Sequence, residues 1–276
     1  MDAGKGREVT LSVQDLTVTI GNRIVCRNLD LAVDTGSRWA ILGINGVGKT
    51  TLLSTLAGLR APDAGLVVVD GVKLDTLTPR DRARCLGLMA QEDSFHISDP
   101  EVTAFEVALL GRLPHLDWWR PESERDETLA RTALEAVGLT EIAGRRAATL
   151  SGGERRRLAL AALLAQEVPL CLLDEPTSHL DMHQQIALLD LLNGWDGRTL
   201  IMTLHEVNLA TQYCTHVLLL FGDGAWCAGP VGEMLSAAVL TRLYGHPVDA
   251  IPGPQGLVYV PKVGAGVTAA ATPKTA

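Results

Sequence analysis

No stretch of this 276-residue chain stays apolar for long: the longest uninterrupted run, residues 158–165, has eight residues, against roughly 20 for a helix that crosses a bilayer. A membrane-spanning role for the chain is therefore not expected. Paired cysteines are missing too. Cys26, Cys85, Cys171, Cys214 and Cys227 are scattered with no C-x-x-C pair, which argues against a disulfide framework or a zinc site and for buried reduced thiols. There is no surplus of positive charge. The formal net charge is −8, whereas binding along a nucleic-acid backbone rests on dense Lys and Arg neutralisation, so no nucleic-acid partner is expected. The one basic cluster, Arg155-Arg156-Arg157, is short and reads as a solvated helix face. No charged-then-apolar leader precedes Val9, which points to a cytosolic location. His179 and His183 stand four apart, but without an intervening Glu or an evident third ligand they do not make a metal site.

Against these absences stand short polar segments in a fixed order. Gly43-Ile44-Asn45-Gly46-Val47-Gly48-Lys49-Thr50-Thr51 fits G-x-x-x-x-G-K-[ST], with apolar Trp39-Ala40-Ile41-Leu42 before it as a buried strand and residues 51–57 after it as a helix. Gly43, Gly46 and Gly48 let backbone N–H groups approach phosphate oxygens where a Cβ would obstruct. The helix opening at Lys49 adds its positive end. Lys49 can reach the β- and γ-phosphates, and the Thr50 hydroxyl is the expected Mg²⁺ ligand. Leu170-Cys171-Leu172-Leu173 suits a parallel strand covered on both faces. Asp174 follows at its carboxyl end, where α/β sheets place ligands, positioned to hold Mg²⁺, with Glu175 beside it to orient and deprotonate a water. Ser151, Gly152 and Gly153 precede an apolar helix and form an N-terminus bare enough to receive a γ-phosphate.

Leu150-Ser151-Gly152-Gly153-Glu154 resembles the signature of the ATP-binding cassette family, and with the segments above the chain resembles the nucleotide-binding subunit of an ABC transporter. The resemblance covers about residues 9–261. It implies an α/β fold: a P-loop NTPase core with a mainly parallel sheet, an N-terminal antiparallel β edge, and a helical subdomain inserted at about residues 92–149. It also implies a head-to-tail dimer in which ATP on one chain's phosphate loop meets Ser151, Gly152 and Gly153 of a second copy. Gln91 resembles the Q-loop glutamine, which touches Mg²⁺ and the attacking water. Ser178-His179-Leu180-Asp181 resembles the D-loop, which crosses the dimer interface, and His205 resembles the switch histidine that contacts the γ-phosphate. Where the family often stacks an aromatic ring on adenine, this chain has Ile20, which offers apolar contact alone.

Along the chain, residues 9–33 alternate like antiparallel strands joined at Gly21-Asn22, and residues 65–70 and 86–90 read as further strands. Residues 122–137 form an amphipathic helix. Trp118-Trp119 is a candidate docking anchor or internal packing of the helical block. Residues 262–276 read as a disordered tail. The runs Val107-Ala108-Leu109-Leu110-Gly111-Arg112-Leu113-Pro114-His115-Leu116, Pro176-Thr177-Ser178-His179-Leu180-Asp181 and Leu243-Tyr244-Gly245-His246-Pro247-Val248 resemble importers of iron-siderophores, haem and cobalamin, with a leaning to cobalamin. That resemblance implies a peripheral subunit at the cytoplasmic face of the membrane, a separate transmembrane permease and, indirectly, a substrate-binding protein. The competing readings are a soluble ABC ATPase of DNA repair or translation and a non-hydrolysing regulator. The first lacks its tandem cassettes or coiled-coil insertion here, and the second is at odds with the presence of Lys49, Glu175 and His205.

Overall fold

Period-two alternation builds the first layer. In the computed structural model, which describes residues 9–90, 101–117, 119, 121–195, 197–253 and 256–263, β1 (Val9–Ile20) and β2 (Arg23–Asp34) form a hairpin across Gly21 and Asn22. β3 (Arg38–Leu42) leads through a loop to α1 (Lys49–Leu56), and β4 (Ala64–Val69) and β5 (Val72–Lys73) return to pair beside β1. After α2 (Pro79–Cys85) and β6 (Leu86–Met89), the described chain turns helical through α3 (Ala104–Leu110), α4 (Glu124–Ala136) and α5 (Gly152–Ala165). β7 (Leu170–Leu173), α6 (Met182–Asn193), β8 (Thr199–Thr203), α7 (Val207–Tyr213) and β9 (His216–Leu220) follow. The described residues close with β10 (Trp226–Pro230), α8 (Val231–Met234), α9 (Ala237–Tyr244) and the hairpin of β11 (Val248–Gly253) with β12 (Gly256–Pro261).

Six strands form one sheet in the order β10-β9-β3-β8-β7-β6, all parallel except β10, which pairs antiparallel with β9. The antiparallel layer closes as a separate four-stranded sheet, β2-β1-β4-β5. Alternate residues of the parallel strands feed two different cores. Trp39, Ile41, Leu170, Leu172 and Ile201 pack with α1 and the antiparallel sheet, while Ala40, Leu42, Cys171, Leu173, Leu200 and Met202 pack with the helical elements. Both faces are dry, so β7 and β8 are apolar almost without interruption rather than alternating.

The helices between β6 and β7 are tied together by one buried cation. Arg112, 5 % exposed, donates to Asp126 Oδ1 at the start of α4 (2.9 Å) and to the Ala165 carbonyl at the end of α5 (2.6 Å), and also meets Glu167. Arg80 and Arg84 of α2 donate to the Pro114 carbonyl, pinning the loop after α3 to the sheet layer. Trp119 at its end is 90 % exposed, so it does not pack within the block. Trp118, Gln91 and most of the tail, residues 264–276, lie outside the described residues.

Candidate nucleotide site

The carboxyl ends of β3, β7 and β8 converge on a cavity of about 430 Å³ lined by Ile20, Asn45, Gly46, Gly48, Lys49, Thr50, Thr51, Glu175 and His205. Gly48 caps α1 with φ 111°, a left-handed conformation that side chains avoid, and a Cβ there would come within 2.5 Å of Val25. No side chain caps α1 and its first turn holds no acid, so its N–H groups face the cavity without an internal anion. Val47 is buried in the core and donates its N–H to the Ile44 carbonyl, which holds the loop's curve.

Lys49 is 5 % exposed and donates Nζ to the Gly43 carbonyl (2.9 Å) and the Ile44 carbonyl (3.4 Å). Burial pulls its pKa below the ordinary lysine value, while the charges of Glu175 and Asp174 push back. Gly43 and Ile44 therefore serve the lysine rather than line the cavity.

Asp174 is 2 % exposed, beneath the cavity floor. Its Oδ1 accepts a bond from Thr203 Oγ1 at 2.7 Å, and the same hydroxyl accepts from the Glu175 N–H at 2.7 Å. Thr203, fully buried at the end of β8, thus fixes the two carboxylate residues relative to each other. Sequence reading passed over it. Its one signal is a hydroxyl in an apolar strand, at the carboxyl end where ligands collect.

Glu175 sits at φ 48°, a strained left-handed position for a residue with a side chain. Its Oε2 accepts from Ser178 Oγ at 2.9 Å, and its Oε1 lies 2.7 Å from His205 Nε2. Burial pushes the Glu175 pKa up, but the bonds from Ser178 and His205 and the charges of His205 and Lys49 outweigh it and leave the carboxyl below its ordinary value. Glu175 is consequently ionised at neutral pH. Arg23, at the start of β2, donates Nη1 to the Gly46 carbonyl at 2.7 Å and braces the loop from the hairpin side.

The remaining expected residues are placed elsewhere. Ser151 caps α5, and Gly153 borders a different cavity with His183, Gln184 and Leu188. Asp181 caps α6, its Oδ1 accepting from the Gln184 N–H at 2.9 Å, and does not line the nucleotide cavity. The expectation of a bare N-terminus at Ser151 needs correction. Ser151 Oγ accepts from the Glu154 N–H, and the Glu154 carboxylate turns back to take the Ser151 N–H (2.7 Å) and hydroxyl (2.8 Å). The spacing of a serine three residues ahead of a glutamate is a capping box, so the Ser151 N–H and hydroxyl are already engaged by an internal carboxylate.

The solvated reading of the arginine triplet is also overturned, at its middle member. Arg156 is 4 % exposed and donates Nε to the Pro176 carbonyl at 2.8 Å and Nη2 to the Glu175 carbonyl. Helical periodicity explains it, since the residues either side of Arg156 point outward and position 156 points at the turn after β7.

The donor set suits a hard cation: Thr50 at the cavity wall and Asp174 below it offer oxygen ligands alone. Among the described residues no group of three or more His, Cys, Asp or Glu is arranged to hold a metal on its own, so a cation here would need a ligand such as a triphosphate to complete its shell.

Comparison with known proteins identifies the family and the fold. A family model described as ABC transporter matches residues 26–178. The hemin import ATP-binding protein of Nocardia farcinica is 39 % identical over 255 residues, covering 90 % of this chain and 86 % of the relative. The ferric enterobactin transport ATP-binding protein of Escherichia coli is 37 % identical over 235 residues, covering 84 % and 86 %. Among solved structures, one described as a metal-chelate type ABC transporter in an inward-facing conformation superposes with a TM-score of 0.78 at 28 % identity, covering 92 % of this chain and 98 % of that one. A dimeric ATP-binding cassette holding ADP and phosphate superposes at 0.69 with 26 % identity, covering 80 % and 98 %.

Proposed function

This chain belongs to the ABC transporter family as an ATP-binding, ATP-hydrolysing subunit, and from that premise we propose that two copies close head to tail on two ATP molecules to drive uptake of an iron chelate through a separate membrane permease. The observation that carries the dimer is the division of the site. Lys49, Glu175 and His205 share one cavity, whereas the Ser151-Gly152-Gly153 turn stands outside it, so one chain holds two unlike halves. A solved relative of this fold is dimeric.

In this reading the α1 N-terminus and the phosphate loop receive the β- and γ-phosphates, and Lys49 transfers its ammonium from the Gly43 and Ile44 carbonyls to phosphate oxygens. Thr50, Asp174 and Gln91 would hold Mg²⁺, which supplies charge neutralisation for the departing diphosphate. Glu175, ionised and fixed by Ser178 and His205, orients the attacking water and accepts its proton. His205 lines the same cavity in contact with Glu175 and would sense a γ-phosphate bound there. Ser151 of a second copy, once Glu154 releases it, caps the γ-phosphate from the far side. The higher affinity of ATP for the closed pair is the free energy available to move the permease.

Residues 92–149 are read as the inserted subdomain that presents the signature turn. The relatives named above import hemin and ferric enterobactin, which favours haem or a ferric siderophore over cobalamin as cargo. No described helix is long and apolar enough to cross a membrane, in keeping with a peripheral subunit at the cytoplasmic face and a permease, fed by a substrate-binding protein, that spans it.

Glu175→Gln tests the reading. The variant keeps the side-chain shape but cannot take a proton, so ATP is expected to accumulate a stable dimer in light scattering while phosphate release falls at least about a hundredfold. Unchanged turnover rejects Glu175 as the base, and a strictly monomeric variant at saturating ATP rejects the sandwich.

A further inference from the structure

The buried Arg156 joins two parts of the chain that the proposed function assigns to two different ATP molecules. It lies on α5, whose first turn carries Ser151, and donates to the carbonyls of Glu175 and Pro176 in the turn after β7. Arg156 lies five positions after the Ser151 cap, roughly 7.5 Å along the axis, so this one helix carries both residues as a single body. The Glu175 backbone is thereby gripped on both sides, its N–H by Thr203 and its carbonyl by Arg156. That grip acts at a residue with φ 48°, a conformation that persists only where the surroundings over-determine it.

We propose that Arg156 is a positioning residue for hydrolysis: it sets the Glu175 carboxylate through the Glu175 and Pro176 carbonyls and so makes the water-activating half of each protomer depend on where that protomer's Ser151 turn is docked. The inference rests on the proposed roles of Glu175 and Ser151. A guanidinium suits this task because its fixed fork reaches two neighbouring carbonyls at once, which the single ammonium of a lysine cannot do with the same geometry. Burial makes the contact consequential. When α5 shifts as the second copy's triphosphate meets Ser151, the two carbonyls are carried with it, and Glu175 reaches its working orientation as the far site closes. Arg156 does not line the nucleotide cavity.

Steady-state ATP hydrolysis and nucleotide binding by the full chain, with the permease supplied, test this in Arg156→Lys, Arg156→Gln and Glu175→Gln. Both Arg156 variants are expected to lower kcat about ten- to a hundredfold, the scale of a misplaced catalytic group, while KM for ATP changes less than about threefold and far-ultraviolet dichroism stays native. Arg156→Lys/Ser151→Ala is expected to lose no more activity than the worse of its two single variants, since both act through one rigid helix. Wild-type kcat in folded Arg156→Gln and Arg156→Lys overturns the positioning role, and a double variant that loses the product of the single losses overturns the coupling. Should Arg156→Gln not fold, the Lys variant decides alone. If Glu175→Gln itself keeps wild-type turnover, the base assignment has failed instead, and the two failures are told apart by that control.

Discussion

Replacing Thr203 with valine keeps the shape of a fully buried side chain and deletes one oxygen. That oxygen serves two partners, donating to Asp174 Oδ1 and accepting from the Glu175 N–H, each at 2.7 Å. Valine takes this shared hydroxyl away from the carboxylate of Asp174, a residue 2 % exposed, and from the backbone donor beside it. A buried group stripped of its partner costs about 1–3 kcal/mol, more when charged, so the pair sums to about 3 kcal/mol. For a chain of this size each kcal/mol moves Tm by roughly 2–4 °C, which sets the expected fall at roughly 6–12 °C. Turnover is expected to drop about ten- to a hundredfold, because Asp174 and Glu175 lose their common reference point. Differential scanning calorimetry and a phosphate-release assay measure the two effects. Thr203→Ser restores the hydroxyl at the expense of one methyl and is expected to recover most of the activity. A valine variant with wild-type Tm and turnover would refute the reasoning, since the hydroxyl would then be holding neither carboxylate residue.

Other expectations follow from neighbouring features. A bond from Ser123 pulls the Asp126 pKa down, burial opposes it, and Arg112 adds to the lowering, leaving it at about 2. Because the folded value lies below the unfolded one, the stabilisation is present above pH 4 and is lost as pH falls toward 2. Asp126→Asn is expected to cost about 2–3 kcal/mol at pH 7, because the buried Arg112 loses a charged partner, and the gap to wild type in urea titrations should narrow below pH 4. Ile20→Tyr puts a ring on the cavity edge and is expected to tighten ATP binding about fivefold or more, as base stacking is worth about 1–3 kcal/mol; isothermal calorimetry showing no change would place the base elsewhere. Glu154→Gln removes the internal carboxylate from the Ser151 cap and is expected to lower the ATP concentration that half-saturates dimer formation, read by light scattering. A higher requirement would mean that Glu154 assists closure rather than competing with it.

The sequence by itself determined the parts that depend on local order. The glycines and Gly48-Lys49-Thr50 announce a strand, a loop and a helix N-terminus because backbone freedom and a charged side chain are needed within a few residues of each other. The wholly apolar Leu170–Leu173 strand announced a sheet covered on both faces, and Asp174 and Glu175 at its end announced a site. Contacts that cross the fold were not legible. Thr203 meets Asp174 from another strand, Arg156 meets Glu175 from a helix, and Arg112 gathers three helix ends. Each of these residues reads in sequence as an ordinary strand hydroxyl or helix-surface charge. Only tertiary packing decided that they are buried, since the worth of a polar side chain depends on which partners replace water around it, and those partners are brought near by the chain's path rather than by its order. The glutamate after the signature glycines is the intermediate case: its spacing from Ser151 is local and could have been read as a capping box, yet the expectation of an open phosphate site masked it.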